Sequence, residues 1–390
     1  MEYTPINFEN TKVAYAVKSK SELKLARLLF SVLQNPSFSA LGRNMLKFGL
    51  NAKLPINGIV KATLYKQFIG GESNEKIIPL MQKLAKYNVG SILDYSLEGI
   101  SSEKEYDKAV EEFLSNVEVA SQHDEIPFSV FKPSAIAHHN IMEKVSSNAP
   151  LNNSEKEEFE RVKNRFHTIF RKAHELGVRV MVDAEESWIQ PAIDMLTDEM
   201  MDNYNKEQVT ALNTFQLYRK DRYDYLVSSF ERCRTNGIKM GAKLVRGAYM
   251  EKERERAQEK GYPSPINDTK AETDLMYNDG MLYCLEHLDE GEVFIGTHNE
   301  QSVALAVKYM QENGIIADDN RVWFSQLYGM CDYLSFNLGS FEYNVAKYIP
   351  YGPIEAVIPY LVRRADENSS VAGQAVKELR LINNELKRRG

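Results

Sequence analysis

Leu23, Ala26, Leu28, Leu29, Val32 and Leu33 recur at helical spacing until Asn35-Pro36 interrupts them. The first 85 or so residues therefore read as helices with no strand among them. From about residue 88 the texture changes to short β-branched or apolar runs, each followed by a longer amphipathic stretch. Such alternation signals βα units. The spacing predicts strands at 89–95, 126–132, 178–183, 211–217, 240–246, 292–297, 321–326 and 345–351. Helices are predicted at about 104–122, 154–176, 191–206, 221–236, 268–288, 299–314, 327–338 and 354–367, the last opened by Pro353 in the favoured first turn. Eight strands with eight crossovers point to an α/β protein of the (β/α)8 TIM-barrel type. A doubly wound open sheet has the same local texture and differs only in closure. The expected organisation is an N-terminal helical arm at 1–87, the barrel at 88–370 and a C-terminal amphipathic helix at 371–390. That helix ends in Lys387-Arg388-Arg389, a pattern that suits either a helix dipole or an anionic lipid surface.

Composition narrows the class of function. The 390 residues carry 48 basic and 55 acidic side chains, a formal charge of -7, with no long basic block. The electrostatic footprint of a nucleic-acid binder is missing. Cys233, Cys284 and Cys331 are isolated and odd in number, which argues against a disulfide framework or a zinc ribbon. No apolar run reaches the roughly 18 residues of a membrane span, and the start lacks a basic n-region and an apolar core. Glu2 and Glu9 do not suit an Arg-rich transit peptide, so a cytoplasmic protein is expected.

Barrels of this type build their active sites at the carboxyl ends of the strands. Those ends deliver Asp94, Lys132, Asp183 with Glu185 and Glu186, Gln216, Lys243 with Arg246, Thr297-His298-Asn299, Gln326 and Tyr348. In the last crossover, Glu367 follows Arg363 by four residues and Arg364 by three. A helix would let it brace one or both guanidiniums, whose forks match a carboxylate or phosphate. An exposed salt-bridged turn is the other reading of that string. Neither a Gly-x-Gly-x-x-Gly after a strand nor a P-loop occurs, and no Gly-x-Ser-x-Gly elbow is present. His138-His139 lacks a ligand set at metal spacing and reads as structural, so no metal is expected. His298, directly after a buried-looking strand, is a functional candidate by position.

The strings VMVDAEESWIQP (180–191), AKLVRGAYMEKERERA (242–257), GTHNE (296–300), QLYGMCDYLSFNLG (326–339), KYIPYGP (347–353) and YLVRRADENSS (360–370) give the chain a resemblance to the proline dehydrogenases. It covers about residues 88–370 and is closest to the monofunctional form. The resemblance implies a barrel with noncovalent FAD that oxidises L-proline to Δ1-pyrroline-5-carboxylate. It places Lys132, Arg363 and Arg364 on the substrate carboxylate, with Glu367 as their brace and Tyr348 over the pyrrolidine ring. Asp183 becomes the active-site carboxylate. Gln216, Lys243, Arg246, Gly247, Ala248, Thr297 and His298 line the flavin, with backbone near Val182. Lys243 stands where many bacterial relatives carry arginine, a point charge in place of a fork. A quinone acceptor and transient contact with the inner membrane are further implications. Tyr348 has the bulk of proline-preferring members, while 4-hydroxyproline is the same-class alternative. A Schiff-base lyase or aldolase on Lys132 or Lys243, and a non-catalytic anion-binding barrel, are the alternatives from other classes.

Overall fold

Every residue of Ala211–Gln216 and of Val345–Tyr351 is buried. A strand covered on both faces has no solvent side to alternate with, so its polar residues, among them Asn213, Gln216 and Lys347, are buried along with the apolar ones. The computed structural model describes residues 4–33, 57–96, 100–354, 356–358, 360–361 and 372–390. Its strands are β1 (Gly90–Tyr95), β2 (Phe128–Phe131), β3 (Arg179–Val182), β4 (Ala211–Gln216), β5 (Met240–Val245), β6 (Gly291–Gly296), β7 (Val322–Leu327) and β8 (Val345–Tyr351). All eight lie where the sequence predicts them. They form one sheet in the order β1-β8-β7-β6-β5-β4-β3-β2, and helices follow the strands, as a (β/α)8 barrel requires.

The chain divides into two compact units, Met1–Pro5 with Gly99–Phe324, and Ile6–Glu98 with Ser325–Gly390. In the first unit β2 to β6 are parallel neighbours in chain order. The crossover helices begin on strong caps. Ser102 and Glu105, Asn152 and Glu155, and Thr269 and Glu272 each form a reciprocal capping box, which satisfies amide groups the helix cannot pair itself. Phe131 sits on Phe166 at 5.2 Å and on Phe113 at 5.6 Å, tying β2 to the helices Asn153–Leu176 and Glu103–Ser121.

Two helices of this unit, His139–Ser146 and Met250–Lys260, are not predicted by apolar periodicity. The second, MEKERERAQEK, buries only Glu253 and Ala257, so it has no apolar stripe to read. Polar bonds hold it instead. Lys252 pairs with Glu186, Arg256 pairs with Glu143, and the Arg256 guanidinium lies 4.2 Å over the Trp188 ring.

In the second unit β1 and β8 pair in parallel, Ile92 opposite Tyr348. The helix expected at 327–338 begins only at Asp332. Gly329 at φ 81 and Cys331 at φ 49 hold the preceding turn in the left-handed region, which a helix cannot include. The C-terminal helix Ala372–Arg388 packs on Lys20–Leu33. Its basic end is used internally. Arg388 and Arg389 reach Glu385, and Arg389 also donates to the carbonyls of Lys18 and Tyr15.

A buried ionic cluster joins these segments. Asp332 accepts from Lys18 at 3.1 Å and Lys347 at 2.9 Å. Beside it Glu378 accepts the Cys331 amide at 3.0 Å and the Tyr15 hydroxyl at 3.3 Å. Burial, reinforced by the charge of Asp332 and only partly offset by Lys18 and Lys347, pushes Glu378 up to about 7. A carboxyl raised in the folded state binds protons more tightly there than when unfolded. Stability from this group is therefore full below about pH 4.5 and is lost as pH rises through 7. Glu378→Gln should flatten the pH dependence of urea unfolding across that window, and an unaltered profile would refute the assignment.

Candidate active site

The strand ends of the first unit assemble a compact polar group. Lys132 follows β2 and precedes Pro133, a position that disfavours helical backbone, and it is accordingly extended at φ -99, ψ 126. Asp183 follows β3, and its amide donates to the carbonyl of Phe131 at 3.0 Å, so the two residues leave the sheet side by side. Register continues the level across the sheet. Val182 lies opposite Asn213, Thr214 opposite Lys243, and Lys243 opposite Phe294.

Lys132 Nζ lies 3.1 Å from Asp183 Oδ2, and Lys243 Nζ pairs with the other oxygen, Oδ1. To do so Lys243 reaches past β4, where Thr214 is small and turns its own hydroxyl onto the carbonyl of Val182 at 2.6 Å. The Lys243 ammonium also stands 5.8 Å from the centre of the Phe294 ring. One carboxylate thus gathers two ammonium groups, both largely buried. An ammonium committed to a carboxylate is a poor nucleophile, which disfavours the Schiff-base alternative at either lysine.

The remaining predicted positions of this unit lie at the same strand ends. Gln216 is 2% exposed and donates from Nε2 to the carbonyl of Glu185 at 2.6 Å. Arg246 is committed to the fold by Asp274 and Thr297, both at 2.7 Å, by Ser302 at 3.0 Å and by the Tyr277 ring at 4.3 Å. These contacts tie the segment after β5 to the helix Lys270–Glu286 and the end of β6. Gly247 and Ala248 are exposed there. Gly247 has φ 140, and a Cβ on it would come within 2.4 Å of the Tyr218 ring, so only glycine fits this turn. Thr297 is buried and accepts the Asn299 amide on Oγ1 at 3.1 Å, His298 is half-buried, and the Asn299 side chain caps the helix Glu300–Glu312. Tyr348 in β8 of the second unit is buried and accepts the amide of Tyr328 on its carbonyl at 2.8 Å. Arg363, Arg364 and Glu367 lie outside the described residues.

Around this group two carboxyls diverge. Burial, with the neighbouring charge of Glu186, pushes Glu185 up to about 7 despite its bonds from Ser134. Burial acts on Glu186 in the same sense, but His139 and Lys252 outweigh it and bring that carboxyl down to about 2. His138 caps its helix through Nδ1, so both adjacent histidines have structural partners. Ser134 and Glu253, which fasten these loops, are absent from the sequence-based reading, because only folding brings their partners together.

In the Lys132–Asp183–Lys243 group two ammonium groups face one carboxylate, a charge balance that suits an anionic ligand. A sequence profile described as proline dehydrogenase matches residues 77–377. The chain belongs to the proline dehydrogenase family. It is 46% identical over 241 residues to proline dehydrogenase 1, mitochondrial, of Homo sapiens, covering 60% of this chain and 40% of that protein. Against the carbapenem antibiotics biosynthesis protein CarD of Pectobacterium carotovorum subsp. carotovorum the identity is 36% over 328 residues, 83% of each. Hydroxyproline dehydrogenase of Xenopus laevis is 31% identical over 412 residues, 96% of this chain and 88% of that one. The alignment to the Drosophila melanogaster enzyme spans only 36% of its length. Among solved structures, proline utilization A from Bdellovibrio bacteriovorus superposes with a TM-score of 0.73 at 24% identity, over 92% of this chain and 38% of that one, which shows the same fold.

Proposed function

We propose that this chain oxidises L-proline to Δ1-pyrroline-5-carboxylate with noncovalent FAD and passes the electrons to a quinone, the first step of proline catabolism. The observation that carries the reading is Asp183 held between Lys132 and Lys243 at the strand ends of a proline dehydrogenase-family barrel. FAD, when bound, supplies the two-electron acceptor for the hydride. The protein's share is position and charge. Lys132, Arg363 and Arg364 take the substrate carboxylate, Glu367 braces the arginines, and Tyr348 covers the ring. Asp183 borders the reacting carbon, and Lys243 faces the cofactor from the same carboxylate. Gln216, the backbone near Val182, Arg246 with the Gly247-Ala248 turn, and Thr297 with His298 would line the cofactor.

The catalytic barrel at 88–370 carries an N-terminal arm at 1–87 and a C-terminal helix at 371–390. Among the described residues no helix is long and apolar enough to cross a membrane. The proposed setting is a cytoplasmic enzyme that meets the inner membrane peripherally, where a quinone acceptor would be reached. Proline-dependent reduction of an artificial electron acceptor by the FAD-reconstituted protein tests the activity, and its absence would overturn the proposal. Substrate choice has its own test. Tyr348→Ser should lower the ratio of kcat/KM for proline over 4-hydroxyproline by roughly 10-fold, the scale of one pocket contact. An unchanged ratio would remove Tyr348 from that role.

A further inference from the structure

Glu185 stands two residues beyond Asp183 and is 4% exposed. Both oxygens of its carboxyl are taken by one residue, the Ser134 amide on Oε2 at 2.7 Å and the Ser134 hydroxyl on Oε1 at 2.5 Å. Ser134 in turn stands two residues beyond Lys132. The contact therefore spans the same two strand ends as the Lys132–Asp183 pair and runs alongside it. Glu185 itself is pinned through its backbone, its amide donating to Gln190 at 2.9 Å and its carbonyl accepting from Gln216 at 2.6 Å.

A carboxyl group enclosed here is costly, and a purely packed contact would avoid it. What it gives in return is direction. Pro133, whose ring locks φ, is the single residue between Lys132 and Ser134, so fixing Ser134 fixes the backbone that aims Lys132. The same device recurs one loop further on. Glu253, fully buried on the helix Met250–Lys260, accepts the Ser187 amide at 2.6 Å and the Ser187 hydroxyl at 2.5 Å. Two serine–carboxylate staples in series thus join the loops after β2, β3 and β5.

We propose that Glu185 is a positioning residue for the reaction, stapling the loop that carries Lys132 to the strand end that carries Asp183. This rests on the roles of Lys132 and Asp183 given above. Lys132 meets the substrate carboxylate at full strength only while its loop is held, so a slackened staple weakens substrate binding. Loss of one staple bond should act on the substrate carboxylate and not on electron transfer.

The test uses the FAD-loaded full-length protein. Ser134→Ala keeps the amide bond, loses the hydroxyl bond, and leaves a half-buried site that folding tolerates. It should raise KM for proline roughly 10-fold with kcat within about 2-fold, and Ser134→Thr should restore KM. Amide hydrogen exchange, measured without proline, should quicken both at 132–136 and at 183–187 in Ser134→Ala and in Glu185→Gln. If the wild-type protein oxidises proline yet Ser134→Ala leaves KM unchanged, or exchange quickens on one side only, the staple has no positioning role. A wild-type protein inactive toward proline would instead overturn the functional reading on which that role rests.

Discussion

Lys132→Met is expected to raise the KM for L-proline by roughly 30-fold or more while the protein still binds its full complement of flavin. Removing one member of a desolvated, charge-assisted pair costs about 2–5 kcal/mol, and about 1.4 kcal/mol is a factor of ten. The split between substrate and cofactor follows from the geometry. Lys132 contacts one oxygen of Asp183 and Lys243 the other. With Lys132 gone, Asp183 keeps its bond to Lys243, so the cofactor side of the group survives and the substrate side loses a cation. Steady-state kinetics together with flavin content per chain read the two effects separately. Arg363→Ala and Arg364→Ala should behave in the same way. Unchanged KM in all three variants would dismantle the carboxylate clamp, and loss of flavin in Lys132→Met would reassign that lysine to the cofactor.

Asp332→Ala is expected to remove about 3–5 kcal/mol of folding stability at neutral pH, the cost of leaving a buried cation without its partner. Lys347 is 1% exposed and Asp332 4%, so neither can turn to water. Burial alone would raise the Asp332 carboxyl, yet the charges of Lys18 and Lys347 outweigh it and hold it below the usual carboxylate range. A depressed carboxyl contributes stability above its unfolded pKa and loses that stability as pH falls through the folded value. The ion pair should therefore be fully effective at pH 7, where most of the stability tied to protonated Glu378 has already been lost. Lys18→Met should cost less, because Lys347 still pairs with Asp332. Urea denaturation midpoints at pH 7 rank the variants, and a loss under about 1 kcal/mol for Asp332→Ala would show that the cluster is not a keystone of this unit.

The strands were legible because short β-branched or apolar runs alternate with longer amphipathic stretches, and all eight occupy their predicted places. The helix Met250–Lys260 was not, since its attachment is polar and its sequence carries no stripe. Among the site residues, chain position at a strand end was enough to pick out Lys132, Asp183, Gln216 and Lys243. That two lysines share one carboxylate required the register, because Lys243 reaches Asp183 across an intervening strand. The partners of Arg246, namely Asp274, Thr297, Ser302 and the Tyr277 ring, lie far from it in sequence and needed the fold to become visible. Ser134 is an ordinary serine in sequence and becomes meaningful only opposite Glu185. Arg363, Arg364 and Glu367 rest on their pattern alone, lying outside the described residues.

The central claim is that strand-end cations present proline to a bound flavin. Adding L-proline anaerobically to the FAD-reconstituted protein and recording the visible spectrum tests cofactor, substrate and reaction together. The yellow absorbance should bleach in proportion to proline oxidised. A bound flavin whose spectrum stays unchanged at saturating proline would contradict the claim.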